Sequence, residues 1–135
     1  MQGWDIDMAT IFVASRFMGL GTLIDCGSVI AHVGDALGDK AVVEGGFAAL
    51  IVDIFAENAM IPAMTEDTTW VKLRERLQPD GLVIINLGEL PADAGQEHPS
   101  NLALQAMSKA FDGACSSLHQ HWAQSMSATD QRPLF

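Results

Sequence analysis

Two short apolar runs constrain the fold more than any other feature of the chain. "FAALIV" (residues 47–52) and "LVII" (82–85) are far too short to cross a membrane, and each ends on a polar residue, Asp53 or Asn86. Continuous apolar runs of this length read as strands covered on both faces, the pattern of parallel sheets. Between them Trp70, Leu73 and Leu77 recur at helical spacing, with Thr65 and Asp67 as caps. Lys72, Arg74 and Arg76 stand toward the C-terminal half of that helix, where its dipole favours cations. A strand, a helix and a second strand imply a crossover unit, so the expected fold class is α/β with helices on both faces of a parallel sheet.

The flanking sequence extends this pattern. Gly3–Ile6 reads as the tail of a strand, and Asp7 as the N-cap of a helix carrying Met8, Ile11 and Phe12. Gly19 and Gly21 are expected to end that helix. "SVIAHVGDAL" (28–37) is a strand closed by Gly34, and residues 38–46 form a connection. "PDG" (79–81) should separate the central helix from the second apolar run. Residues 88–99 form a loop of the length that is often functional. Ser100 is expected to cap a last helix with Leu102, Ala103, Ala106, Met107, Ala110 and Phe111 on one face, stopped by Gly113. "ACSSLHQHW" reads as a weak strand and the final residues as a tail.

Composition excludes several function classes. The chain has 135 residues and a formal net charge of −10, which disfavours nucleic acid and anionic membranes as partners, since both reward Lys and Arg. No apolar run reaches the roughly 18 residues of a membrane span. Cys26 and Cys115 stand far apart and suggest no disulfide framework, and no secretory signal is visible, so an intracellular protein is expected. Cys115, His119 and His121 form C-x3-H-x-H, but that spacing matches no common zinc signature and lacks a fourth ligand. No metal is expected. His32, inside an apolar strand, reads as a hydrogen-bonded core histidine.

The polar strand ends carry the functional signal. Asp5, Asp35, Asp53 and Asn86 each stand at or just past the carboxyl end of an expected strand, and in open α/β sheets ligands sit outside those ends. Each of them taken alone also fits a strand-end residue meeting solvent.

In their order and spacing, "GWDID", "HVGDAL", "FAALIVDIF" and "WVKLRERLQPDGLVIINLG" resemble the spermidine synthase-like branch of the S-adenosylmethionine-dependent methyltransferase superfamily, in the version seen in plants and algae. The resemblance covers roughly residues 3–112. It implies a Rossmann-like methyltransferase sheet, here incomplete at both ends, with a partial domain at 1–113 and a divergent tail at 114–135. It also implies that Asp5 accepts hydrogen bonds from both ribose hydroxyls and that Asp35, with Ala36 beside it, meets the adenine. Asp53 falls where the family keeps the acid that helps deprotonate an attacking amine. The implied co-substrate is S-adenosylmethionine or its decarboxylated form, without a metal, and the implied activity is transfer of an alkyl or aminopropyl group to a small-molecule amine. Chemistry fits this independently: the sulfonium is an activated leaving group, so positioning and one proton acceptor suffice.

Three departures bear on that expectation. The family's glycine-rich turn after its first strand has no counterpart, because Gly19 and Gly21 follow a helix. Ala56 stands where spermidine synthases carry a second acid, which disfavours a cationic polyamine as acceptor. The family's later strands are not recognisable after about residue 113. The alternative is a catalytically inactive, truncated remnant that binds a nucleoside or another protein. A homodimer and either a cytoplasmic or a plastid location are left open.

Overall fold

A computed structural model describes residues 1–57, 59–88 and 95–112. It is a mixed α/β structure in which the chain forms two units, Met1–Phe47 and Ala48 onward. No helix among the described residues is long and apolar enough to cross a membrane.

In the first unit β1 (Gln2–Asp5) and β2 (Ile30–Val33) pair in parallel, with Gln2 opposite Ile30 and Asp5 opposite Val33. The crossover between them is helical. Asp7 caps α1 (Met8–Phe17), its carboxylate accepting from the Ala9 N–H at 2.8 Å, as Asp does for the orphan amides of a first turn. The helix ends at Met18, and Gly19 takes the left-handed conformation at φ +83°. Gly21 was expected to act as a second stop, but it lies inside a further helix, α2 (Leu20–Asp25). A Cβ at Gly21 would stand 2.7 Å from the Ser15 carbonyl oxygen of α1, so glycine permits the close packing of the two helices.

Val29 and Ala41 are the fully buried apolar residues of this unit, whereas Met8, Phe12, Phe17 and Met18 of the α1 segment are exposed. His32 is half-buried in β2, stacked on Trp4 at 4.6 Å and hydrogen-bonded through Nε2 to Gln2 Oε1 at 3.0 Å. Trp4 in turn meets Phe47 edge-on at 5.8 Å.

The strand β3 (Phe47–Val52), whose first residue is the last of the first unit, continues into the second and pairs with β6 (Leu77–Ile85). The Asn86 N–H donates to the Val52 carbonyl at 2.9 Å. Both strands therefore end at the same edge and run in parallel. Between them lie a hairpin, β4 (Phe55–Ala56) and β5 (Ala59–Met60), a 3-10 turn (Pro62–Thr65) and α3 (Asp67–Glu75). The last described helix is α4 (Pro99–Ala110).

Further sequence expectations change here. Neither Thr65 nor Asp67 caps α3, whose N-cap is Glu66 without a side-chain bond, and Leu77 begins β6 and does not belong to the helix. The "PDG" segment does not break the chain, since β6 runs through Pro79 and Gly81; proline's fixed φ lies inside the extended range and so can be accommodated in a strand. The pair is also not covered on both faces. Gly81, Val83 and Ile85 are half-buried, but Leu82 and Ile84 on the opposite face are exposed, as is Ile51 of β3. The last helix, finally, is capped by His98, whose Nδ1 accepts from the Ser100 N–H at 3.3 Å, and not by Ser100. The helix ends at Ala110 with Phe111 as C-cap, and the next residue, Asp112, is left-handed at φ +52°. Gly113, "ACSSLHQHW" and the division at 113/114 lie outside the described residues.

The core of this unit is Trp70 and Leu73 from α3, Met64 from the 3-10 turn, and Ala103, Ala106, Met107 and Ala110 from α4. Trp70 has no exposed surface, and its indole N–H donates to the Met64 carbonyl at 2.8 Å. Arg74 crosses to the end of α4, donating to the Ala110 carbonyl at 2.6 Å and pairing with Asp112 at 3.1 Å.

Trp70→Ala should therefore destabilise the chain by about 3–5 kcal/mol, whereas Phe12→Ser on the open face of α1 should stay within about 0.5 kcal/mol of the parent. Urea unfolding followed by circular dichroism separates the two, and similar midpoints for both variants would contradict this core.

Candidate functional site

Two pairs of strand-end residues carry the polar chemistry, one pair in each unit. In the first, Asp5 closes β1 and Asp35 lies two residues beyond Val33, the partner of Asp5 in β2. Parallel pairing thus brings the two aspartates to one edge. The Gly34 N–H donates to the Asp5 carbonyl at 2.8 Å and continues the ladder past the strand end.

Both side chains are engaged by their own turns. Asp5 Oδ1 accepts from the Asp7 N–H at 2.8 Å. Asp35 Oδ1 accepts from the Leu37 N–H at 2.8 Å, while its carbonyl accepts from Gly38 at 3.1 Å. These are Asx turns, in which a short carboxylate mimics a backbone acceptor two residues ahead. Each turn uses one oxygen and fixes the carboxylate plane, and the second oxygen takes no part in it. Ala36, half-buried, lies inside the Asp35 turn.

In the second unit Asp53 follows β3 and Asn86 follows β6. Asp53 is exposed, so no charge is buried there. The Asn86 amide donates to Asp53 Oδ1 at 2.9 Å, and Asn86 Oδ1 accepts from the Gly88 N–H at 2.9 Å. Ala56, shortly after Asp53 in the sequence and exposed in β4, offers no carboxylate.

Sequence reasoning missed Ser100 as anything but a cap. It is buried at 3 % exposure, and its hydroxyl donates to the Leu87 carbonyl at 2.8 Å, against the segment that carries Asn86. A lone serine one place inside a helix start gives no sign of such a tertiary bond. Among the described residues no group of three or more His, Cys, Asp or Glu is placed to hold a metal ion; Cys115, His119 and His121 lie outside them.

Among the described residues, Cys26 is the one group whose proton affinity is clearly displaced. The Ser28 hydroxyl, 3.0 Å from Sγ, and the Ser28 N–H favour the thiolate and hold the thiol below its ordinary range. A lowered pKa means more thiolate at any pH beneath it. Ser28→Ala should move the alkylation profile of Cys26 by iodoacetamide to higher pH and slow the reaction at neutral pH. An unchanged profile would show that Ser28 has no part in it.

No family model, no curated protein and no solved structure matches the chain.

Proposed function

We propose that this chain carries the nucleoside and acceptor sites of a transferase related to spermidine synthase, moving an alkyl or aminopropyl group from S-adenosylmethionine or its decarboxylated form to an amine. In this reading the α/β fold is of the Rossmann-like methyltransferase type. The observation that carries the proposal is the placement of polar residues beyond the carboxyl ends of both pairs, Asp5 with Asp35 and Asp53 with Asn86. Strand ends of this kind are where α/β sheets bind ligands.

The residues present fit a nucleoside. The Asp5 carboxylate, held by its own turn, has an oxygen left to accept ribose hydroxyls. Asp35, with Ala36 in the same turn, would accept from the exocyclic amine of adenine. The sulfonium of the co-substrate would supply the activated leaving group. Asp53 would orient the acceptor amine and take up its proton as the new C–N bond forms. Ala56 removes one partner for a cationic polyamine, so an acceptor other than putrescine is favoured.

A second reading follows from the same Ala56. A chain without the second acid could bind the nucleoside, or pack against a partner protein, without catalysing transfer.

Methylthioadenosine separates these readings from an assignment with no site at all. Calorimetric titration should give saturable heat, and Asp35→Ala should weaken binding about tenfold or more, the usual effect of losing a hydrogen bond to a charged group. No heat at millimolar ligand would overturn the nucleoside site. Binding that survives without transfer from either form of the co-substrate to any amine would leave the non-catalytic reading.

A further inference from the structure

The function proposed above gives no chemical role to the buried Ser100 hydroxyl or to the Asn86 amide. Together they form a continuous strut to Asp53. Ser100 Oγ donates to the Leu87 carbonyl at 2.8 Å. The neighbours of Leu87 are then fixed in turn: the Asn86 N–H donates to the Val52 carbonyl at 2.9 Å, and the Gly88 N–H to Asn86 Oδ1 at 2.9 Å. A backbone N–H can be met only by the oxygen of the amide, so Gly88 decides which way Asn86 faces. The nitrogen is left to donate to Asp53 Oδ1 at 2.9 Å. Gly88 takes φ +69°, and a Cβ there would stand 3.0 Å from the Phe55 ring, so glycine is the residue that both the conformation and the space admit.

The geometry points to Asn86 and Ser100 as positioning residues for the Asp53 carboxylate. Ser100 pins the 86–88 segment to the start of α4, and Asn86 transmits that placement to Asp53. With Oδ1 held, Oδ2 is the oxygen presented to an acceptor. This rests on the transferase reading only for what the carboxylate does; the strut belongs to the second unit alone. Neither positioning residue needs to touch substrate.

A role limited to shaping the turn makes a different prediction. An Asx turn requires only a side-chain oxygen, and aspartate supplies it as well as asparagine. Asn86→Asp would therefore keep the Gly88 bond, yet it would lose the donor to Asp53 and set a like charge beside it.

The test uses the full chain labelled with nitrogen-15 and follows hydrogen exchange of the Asn86 side-chain amide by NMR. Exchange should be about five- to tenfold slower in the parent than in Asp53→Ala, as one ordinary hydrogen bond allows. Ser100→Ala should lose most of that protection, and Ser100→Thr, which retains a hydroxyl, should restore it. Equal exchange in the parent and Asp53→Ala would overturn the strut. Asp53 and Asn86 are exposed, so their variants carry the test even where a Ser100 variant fails to fold. Given transfer activity, Asn86→Asp should lower kcat while leaving KM for the nucleoside unchanged, and an unchanged kcat would overturn the positioning role. Protected exchange in a chain that transfers nothing would sink the transferase reading while leaving the strut intact.

Discussion

The second unit depends on one side chain. Trp70 is completely buried, and its indole nitrogen, which would be costly to leave unpaired there, meets the carbonyl of Met64 six residues earlier. That bond ties the 3-10 turn to α3, and the small face of α4, mostly alanine, closes over both. The exposed ion pair of Lys109 with Asp67, at 3.0 Å, adds little by comparison. With α4 seated, Ser100 is buried where it reaches Leu87, and the end of β6 is held. The polar edge at Asp53 is thus downstream of an apolar anchor that contributes no atom to it.

The first unit is organised differently. Its buried apolar set is small, and α1 has no buried residue. Hydrogen bonds set its polar edge instead: the Asp5 turn leads into the Asp7 cap, and the Asp35 turn follows the last rung of the β1–β2 ladder. These are short-range bonds, formed within two residues, so the orientation of either carboxylate needs little of the surrounding structure. Asp53 has no such local acceptor turn and takes its orientation from a residue 33 positions away.

This difference explains what the sequence revealed. Asp7 as a cap, the strands near Gly3, His32 and Phe47, Trp70 and Leu73 on α3, and Ala103, Ala106, Met107 and Ala110 on α4 follow from local pattern, and the structure has them. Leu77, by contrast, falls in β6, and Leu102 is exposed. The parallel pairing that gathers Asp5 with Asp35 followed from alternating strands and helices. What stayed hidden depends on distant partners. The exposed faces of β3 and β6 could not be told from covered ones, because an apolar run looks the same whether or not a helix lies on it. The β4–β5 hairpin is two residues a side, too short for any period, and turns at Glu57, a residue with φ +51° and no glycine to announce it. Ser100 was assigned to a cap because its bond to Leu87 spans 13 residues.

The corner between α1 and α2 shows how two glycines of the same segment differ in kind. Gly19 has open space where a side chain would go, but its backbone is left-handed. Asparagine, which tolerates that conformation, could replace it at modest loss. Gly21 has an ordinary helical backbone and no space, since the Ser15 carbonyl occupies the place of its Cβ. There even alanine, the best helix former, would force the two helices apart. Natural variation could therefore drift at position 19 along a narrow path set by torsion, while position 21 is closed by volume to every residue larger than hydrogen.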